Sequence, residues 1–310
     1  MATLLRDLVL LTKPRVISLL LLTAVAPMFI TGRGLPSAAL VGWVLLGGYL
    51  MAGGANAINM WFDRDVDTFM ARTRLRPVAS GRLHPASALI FGLGLGGIAF
   101  ALFWRFVNPL AAWLALGGLL FYVLIYTVWL KRSSPQNIVI GGAAGAFPPL
   151  VGWAAMTGQI DLAAVYLFAI IFYWTPPHFW ALALIKRDEY ARAGIPMMPV
   201  VKGARETKVQ MLAYTIMLIP LTILPWLSGT QGGLYVLAAL ALGGRLFWYN
   251  LKLLREETST PTAWSMYKYS LLYLALLFVA MGVDHAVSFG RLRAPMEMVL
   301  VRTEAAGHQH

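Results

Sequence analysis

Apolar residues run along this chain in long stretches separated by short polar gaps. Nine stretches are long enough to cross a bilayer as helices, which takes about 20 residues each. They fall at roughly 16–32, 38–62, 87–107, 110–130, 137–157, 163–185, 209–228, 232–250 and 269–289. The third and fourth are parted only by Asn108-Pro109, a tight-turn signal. Arg245 sits near the end of the eighth and weakens it. No soluble domain, low-complexity tract or short repeat interrupts the series. The pattern predicts an all-α polytopic membrane protein with nine transmembrane helices, a single intramembrane unit over 1–310.

Composition sharpens this. Of 310 residues 59% are hydrophobic and only 12% charged, with a mean hydropathy of +0.69. A soluble core of this size cannot hide so much apolar surface, and disorder needs the opposite balance. The absence of cysteine excludes disulfides, iron–sulfur clusters and thiolate zinc sites. A net charge of +12 raises nucleic acid as a partner. The basic residues instead occupy short gaps between spans, where they set topology or meet an anionic ligand. With the N-terminus in the cytoplasm, 20 Lys and Arg fall inside and five outside, the latter being Arg33, Arg105, Arg291, Arg293 and Arg302. Ala24-Val25-Ala26 imitates a signal cleavage site, but Pro27 follows and the apolar run continues to Ile30, so the first span is read as uncleaved. No Ser/Arg-rich transit extension is present, which favours a bacterial inner membrane.

The acids carry the chemistry. Five of the 13 form two clusters, Asp63, Asp65 and Asp67, then Asp188 and Glu189, each at a cytoplasmic span end and embedded in basic residues. Asn59, Asp63 and Asp67 are spaced i, i+4, i+8. On a continuous helix each step turns about 40° and rises about 6 Å, so the three line one face. Oxygen ligands on one face suit Mg2+, which takes one or two carboxylates and completes its shell with water and phosphate oxygens. Acids at membrane depth are usually functional. Arg72, Arg74 and Arg76 follow at alternate positions, a pattern for gripping an anion by guanidinium forks. Lys131 and Arg132, with Asn137 opening the fifth span, give a weaker version of the same signal. The second cluster, Lys186-Arg187-Asp188-Glu189-Tyr190, again mixes acids with bases. One acid-and-base site in each half of the chain fits one polyanion with Mg2+ between them. An isoprenoid diphosphate has that shape, with a charged head at the cytoplasmic face and an apolar tail in the bilayer.

Two spans are irregular. The fifth carries Gly141, Gly142 and Gly145, which permit close helix approach. It also carries Pro148-Pro149, expected to break or bend it where backbone lines a cavity. The sixth carries Pro176-Pro177-His178-Phe179-Trp180. There His178, flanked by aromatics, is either a site for a flat aromatic ligand or a histidine bonded to a neighbouring helix. His84 lies in a loop, His285 stands isolated near the outer end of the last span, and His308 and His310 belong to a polar tail.

These residues resemble the UbiA-type intramembrane prenyltransferases, in the Asn-x3-Asp-x3-Asp motif of Asn59, Asp63 and Asp67, the second acidic motif and the nine spans. Closer features resemble the branch that farnesylates protohaem. They are Thr12-Lys13-Pro14-Arg15-Val16, Arg72-Thr73-x-x-Arg76-Pro77, the Asn137 to Gly145 segment, Pro176 to Trp180, Tyr190 to Pro196, and Ser270-Leu271-Leu272-Tyr273-Leu274. The resemblance covers about residues 5–290. It implies that farnesyl diphosphate and haem B give haem O and diphosphate, with Mg2+ on Asn59, Asp63 and Asp67. Arg72 and Arg76 complete the implied catalytic set. Lys131, Arg132, Asn137, His178, Lys186, Asp188, Glu189 and Tyr190 are the implied substrate-binding residues. It further implies service to terminal oxidase assembly, with haem A synthase as a partner. In the wider superfamily the second motif is Asp-x3-Asp. Here Arg192 stands four residues after Asp188 and Glu189 is the other acid, which leaves the number of Mg2+ ions open. The competing readings are a prenyltransferase for a quinone precursor or chlorophyllide, a transporter, and a haem-binding assembly protein.

Overall fold

The computed structural model describes residues 2–256 and 260–307, with side chains for 3–256 and 261–287. Arg291, Arg293, Arg302, His308 and His310 therefore lie outside the described side chains. Fourteen helical segments follow one another: α1 (Ala2–Thr12), α2 (Pro14–Val25), α3 (Ala38–Phe62), α4 (Pro85–Phe106), α5 (Pro109–Leu120), α6 (Lys131–Ser133), α7 (Asn137–Gly141), α8 (Ala143–Thr157), α9 (Leu162–Ile185), α10 (Arg187–Arg192), α11 (Met198–Val201), α12 (Gly203–Leu227), α13 (Gly233–Arg255) and α14 (Thr260–Gly307). No strand occurs among the described residues.

Among the described residues eight helices are long and apolar enough to cross a membrane, and there are nine such segments when the bent pair Thr3–Thr12 with Pro14–Phe29, meeting at 44°, is counted as one span. This chain is a multi-pass, all-α membrane protein. The predicted first span, 16–32, matches Pro14–Phe29, with the helix Thr3–Thr12 bent away before it. Pro14 cannot continue a helix and sits well at the start of the next. Lys13 between them takes a left-handed backbone, φ 54° and ψ 61°. The break frees the Thr12 carbonyl, which accepts a hydrogen bond from Asn56 Nδ2 at 3.0 Å. The seventh and ninth crossings begin earlier than their apolar runs, at Gly203 and Pro261, because their first turns carry polar residues.

The fourth crossing runs from Pro109 to Ser133 and changes character midway. From Phe121 to Leu130 it is a wide π-helix, and the Lys131 amide bonds back to the Tyr126 carbonyl. Such stretches are rare and cluster at functional sites. In the fifth crossing the break falls at Gly142, between α7 and α8, while α8 continues through Pro148 and Pro149. The expected break at the prolines is therefore displaced. A side chain at Gly142 would meet Thr175 Cγ2 at 2.6 Å and one at Gly141 would meet the Tyr126 ring, whereas Gly145 faces open space.

Consecutive crossings pack on one another, and α14 returns to pack on α9 and on the turn after α2. The spans Asn137–Thr157 and Leu162–Ile185 are 61% buried, against 28–39% for the other long helices. These two form the centre, and the others present an apolar surface suited to lipid. At α3 and α4 the backbones nearly touch, since a Cβ on Gly54 would stand 2.6 Å from the Gly92 carbonyl oxygen. That contact fixes the helix that delivers the first acidic motif.

Candidate active site

Regular α3 ends at Phe62, with Asp63 as its cap and its amide bonded to the Asn59 carbonyl. Val66–Phe69 is a separate 3-10 turn. The continuous-helix face predicted for Asn59, Asp63 and Asp67 is corrected to a helix end plus a tighter turn. One helical bond survives the junction, Asp67 N to Asp63 O at 2.8 Å, and it keeps the two acids together. Asn59, Asp63 and Asp67 are all buried.

Each acid meets a base. Asp63 Oδ2 accepts from Asn59 Nδ2 at 2.7 Å and from the Lys131 ammonium. Arg132 lies 3.6 Å from Asp63 Oδ1 and chelates Asp65 at 2.7 and 2.8 Å, its guanidinium over the Phe62 ring. That guanidinium holds the Asp65 carboxyl below the usual carboxylate range. Arg76 donates to both oxygens of Asp67, at 2.8 and 2.7 Å. The loop bringing Arg76 back is pinned by Thr73, which donates to the Asp67 carbonyl, and by Arg82, which pairs with Asp7 of α1. Asn137, fully buried, donates to the Lys131 carbonyl at 3.4 Å. Arg74 is exposed and stands apart.

The second motif lies at the end of α9. Lys186 caps α9 and pairs with Glu189 at 2.7 Å. Tyr190 is raised above its ordinary phenol value chiefly by burial, with Arg72 and Arg76 pulling the other way. Gly194, at φ 66°, ends α10 and lets the Ile195 amide reach the Tyr190 carbonyl at 3.0 Å, a left-handed helix stop. Asp188 is exposed and forms no ion pair among the described residues, so Glu189 is the acid turned toward the interior.

His178 lies deeper, on α9. Its Nδ1 is 2.7 Å from Ser270 Oγ, and its ring is stacked between Trp174 and Tyr267.

Two contributors carry no acidic-motif signature. Lys13 Nζ donates to Asn59 Oδ1 at 3.1 Å, and Thr127 of the π-helix accepts from Asn59 Nδ2 at 3.2 Å. Lys13 counts as a topology marker in the charge pattern. Its signal was the Lys-Pro pair set inside an apolar run.

The cluster gathers Lys13, Arg76, Lys131 and Arg132 against Asp63, Asp65 and Asp67, an excess of one basic group, with Arg72 exposed outside it. Such an excess at a membrane boundary calls for a polyanion. One oxygen, Asp63 Oδ1, is sealed from solvent and has no hydrogen bond. Among the described residues no three Asp, Glu or His side chains gather as a metal cage. The donors therefore fit Mg2+ shared with a phosphate ligand, the ion's usual habit, and not an ion enclosed by protein alone. A cavity of about 680 Å³ lies at the opposite end of the bundle, lined by Trp153, Asp161, Gln231 and Asp284 among others, and contains no motif residue.

A protoheme IX farnesyltransferase of Roseiflexus sp. (strain RS-1) is 56% identical over 285 residues, which cover 92% of this chain and 53% of that protein. The chain thus spans about half the length of the first curated relatives it matches. The protoheme IX farnesyltransferase of Symbiobacterium thermophilum is 52% identical over 280 residues, covering 90% of this chain and 94% of that one. A solved UbiA homolog from Archaeoglobus fulgidus, bound to DMAPP and Mg2+, shares the fold with a TM-score of 0.63 and 15% identity, over 89% of this chain and 99% of that one. The family model of the UbiA prenyltransferases matches residues 19–281, and the chain belongs to that family.

Proposed function

We propose that this chain transfers the farnesyl group of farnesyl diphosphate to a vinyl side chain of haem B, giving haem O and diphosphate. The observation that carries the diphosphate half is the buried cluster, in which Asp63 keeps an oxygen with no hydrogen bond, 3.6 Å from Arg132, among basic side chains. The acceptor half is supported by the relatives, protoheme IX farnesyltransferases at 52–56% identity.

In this reading Asn59, Asp63 and Asp67 hold Mg2+, which supplies Lewis-acid stabilisation to the departing diphosphate. Lys13, Arg72, Arg76, Lys131 and Arg132 face the phosphate oxygens and take up charge as the C–O bond ionises. The buried walls, including Tyr122 and Tyr126, keep bulk water from the allylic cation. The terminal vinyl carbon forms the new bond to farnesyl C1. The cation left on the inner vinyl carbon takes hydroxyl from water, and the proton goes to solvent. No side chain acts as nucleophile, so positioning and electrostatics account for the catalysis. Lys186, Glu189 and Tyr190 close the diphosphate pocket from the second half.

The same proposal places the chain in the bacterial cytoplasmic membrane with the motif loops inside, as the 20-to-5 distribution of Lys and Arg supports. Its product would pass to haem A synthase or to terminal oxidase assembly.

The test is Mg2+-dependent binding of farnesyl diphosphate, followed by a choice of acceptor. Binding with Mg2+ and loss with EDTA is expected, with turnover on haem B and none on a quinone precursor or chlorophyllide. Turnover on either alternative instead of haem B would move the acceptor. Absence of diphosphate binding in folded protein would leave a transporter or a haem carrier.

A further inference from the structure

Ser270 Oγ lies 2.7 Å from His178 Nδ1 and 2.8 Å from the Tyr267 carbonyl, which can only accept. With the single Ser270 hydrogen on that carbonyl, the imidazole donates from Nδ1 and the neutral ring has its lone pair on Nε2.

The ring has no freedom to reverse this. It is 95% buried, with Trp174 parallel to one face at 4.3 Å and Tyr267 parallel to the other at 4.8 Å. Among the described residues no hydrogen bond reaches Nε2, and Nε2 is not among the sealed orphan atoms. Here one nitrogen is anchored through a hydroxyl to a carbonyl while the other is presented open. Metal-ligating histidines are built in this way, the far N–H fixing the tautomer and raising the basicity of the ligating nitrogen.

We propose that His178 Nε2 is the axial ligand to the iron of the haem acceptor, with Ser270 as the positioning residue. The inference rests on the haem reading above and deepens it. Position within the bundle supports it. His178 lies seven residues before the end of α9, or about 10 Å at the rise of a helix. A porphyrin held at His178 therefore lies deeper in the bundle than the acidic motif at the end of α9. Ligation also stops the porphyrin from sliding, so that one edge meets the farnesyl cation.

The experiment uses the full chain in lipid nanodiscs, titrated with haem B alone and read in the ferric form by absorption and after reduction to the ferrous form by resonance Raman, so no turnover is involved. Wild-type protein is expected to show a histidine-ligated iron. His178→Gly should lose that signature and bind haem at least about tenfold more weakly, since one coordinate bond is gone. Added imidazole should restore the signature in His178→Gly. Ser270→Ala should weaken binding about 10- to 100-fold and lower the iron–histidine stretch. Mg2+-dependent binding of farnesyl diphosphate serves as the fold control. A wild-type haem spectrum in His178→Gly that passes the control would overturn the ligation. If His178→Gly loses its fold, an unshifted stretch in Ser270→Ala would do the same. Failure of the wild-type chain to bind haem at all would instead overturn the haem reading itself.

Discussion

Replacing Lys13 by glycine and by methionine separates backbone from charge. Lys13 is the one non-glycine residue with positive φ among the described residues, and that region destabilises an L side chain by about 1–2 kcal/mol. Pro14 disfavours it further. The strained turn delivers Nζ to Asn59 Oδ1 at 3.1 Å, beside Asp63 and Asp67. Glycine adopts this backbone freely, but its looser unfolded chain offsets about 0.5–1 kcal/mol of the gain. Both variants lose the charged hydrogen bond, and both lose the repulsion from Arg76 and Lys131. Lys13→Met keeps the strain, so it should be the less stable of the two by about 1 kcal/mol. Turnover should fall alike in both. A charge-assisted contact to the departing diphosphate is worth about 1.5–3 kcal/mol, or about 10- to 150-fold in rate. Thermal unfolding in detergent and single-turnover diphosphate release measure the two quantities. If Lys13→Gly turns over at the wild-type rate, the ammonium has no part in the chemistry. A glycine variant that works beside a methionine variant that does not would assign the role to the backbone alone.

Asp63→Ala should nearly abolish turnover and also lower stability, because Lys131 and Asn59 lose their buried partner; diphosphate release from folded variant at the wild-type rate would refute the metal assignment. Asp65 is exposed and paired with Arg132, so Asp65→Asn should lower stability at neutral pH by under about 1 kcal/mol. Its folded value is depressed, so the contribution is present above the ordinary carboxylate range and vanishes as pH falls through the folded value. Denaturation of both proteins at pH 7 and in acid checks the sign, and a gap that widens in acid would be the wrong result. Gly54→Val would force α3 from α4 and should lower stability by about 1–3 kcal/mol while weakening farnesyl diphosphate binding. Gly145→Ala, with open space around it, should leave both unchanged; equal damage from the two would show that the close approach is not what matters.

The crossings were legible because lipid contact demands unbroken apolar length, and eight helices plus one bent pair stand where nine were predicted. The first, 16–32, matches Pro14–Phe29, but the bent helix before it was not legible, because composition cannot show that Lys13, ahead of Pro14, points inward. The acidic motif was legible as a set but not as a shape. Spacing predicts one helical face, whereas the helix ends at Phe62 and a 3-10 turn carries Asp67. The pairing of Lys131 with Asp63 and of Arg76 with Asp67 needs tertiary folding and has no local signature. Asp188 and Glu189 are adjacent and equally acidic, and only the placement of α10 exposes one and turns the other inward. The π-helix at Phe121–Leu130 was illegible, since its residues read as an ordinary apolar span.

The most direct test of the central claim is the mass of the product. Purified chain is incubated with haem B, farnesyl diphosphate and Mg2+, with a parallel sample in EDTA. The account predicts a haem heavier by one farnesyl group plus the elements of water, formed with Mg2+ and absent with EDTA. Unaltered haem in the presence of Mg2+, from protein that still binds farnesyl diphosphate, would contradict it.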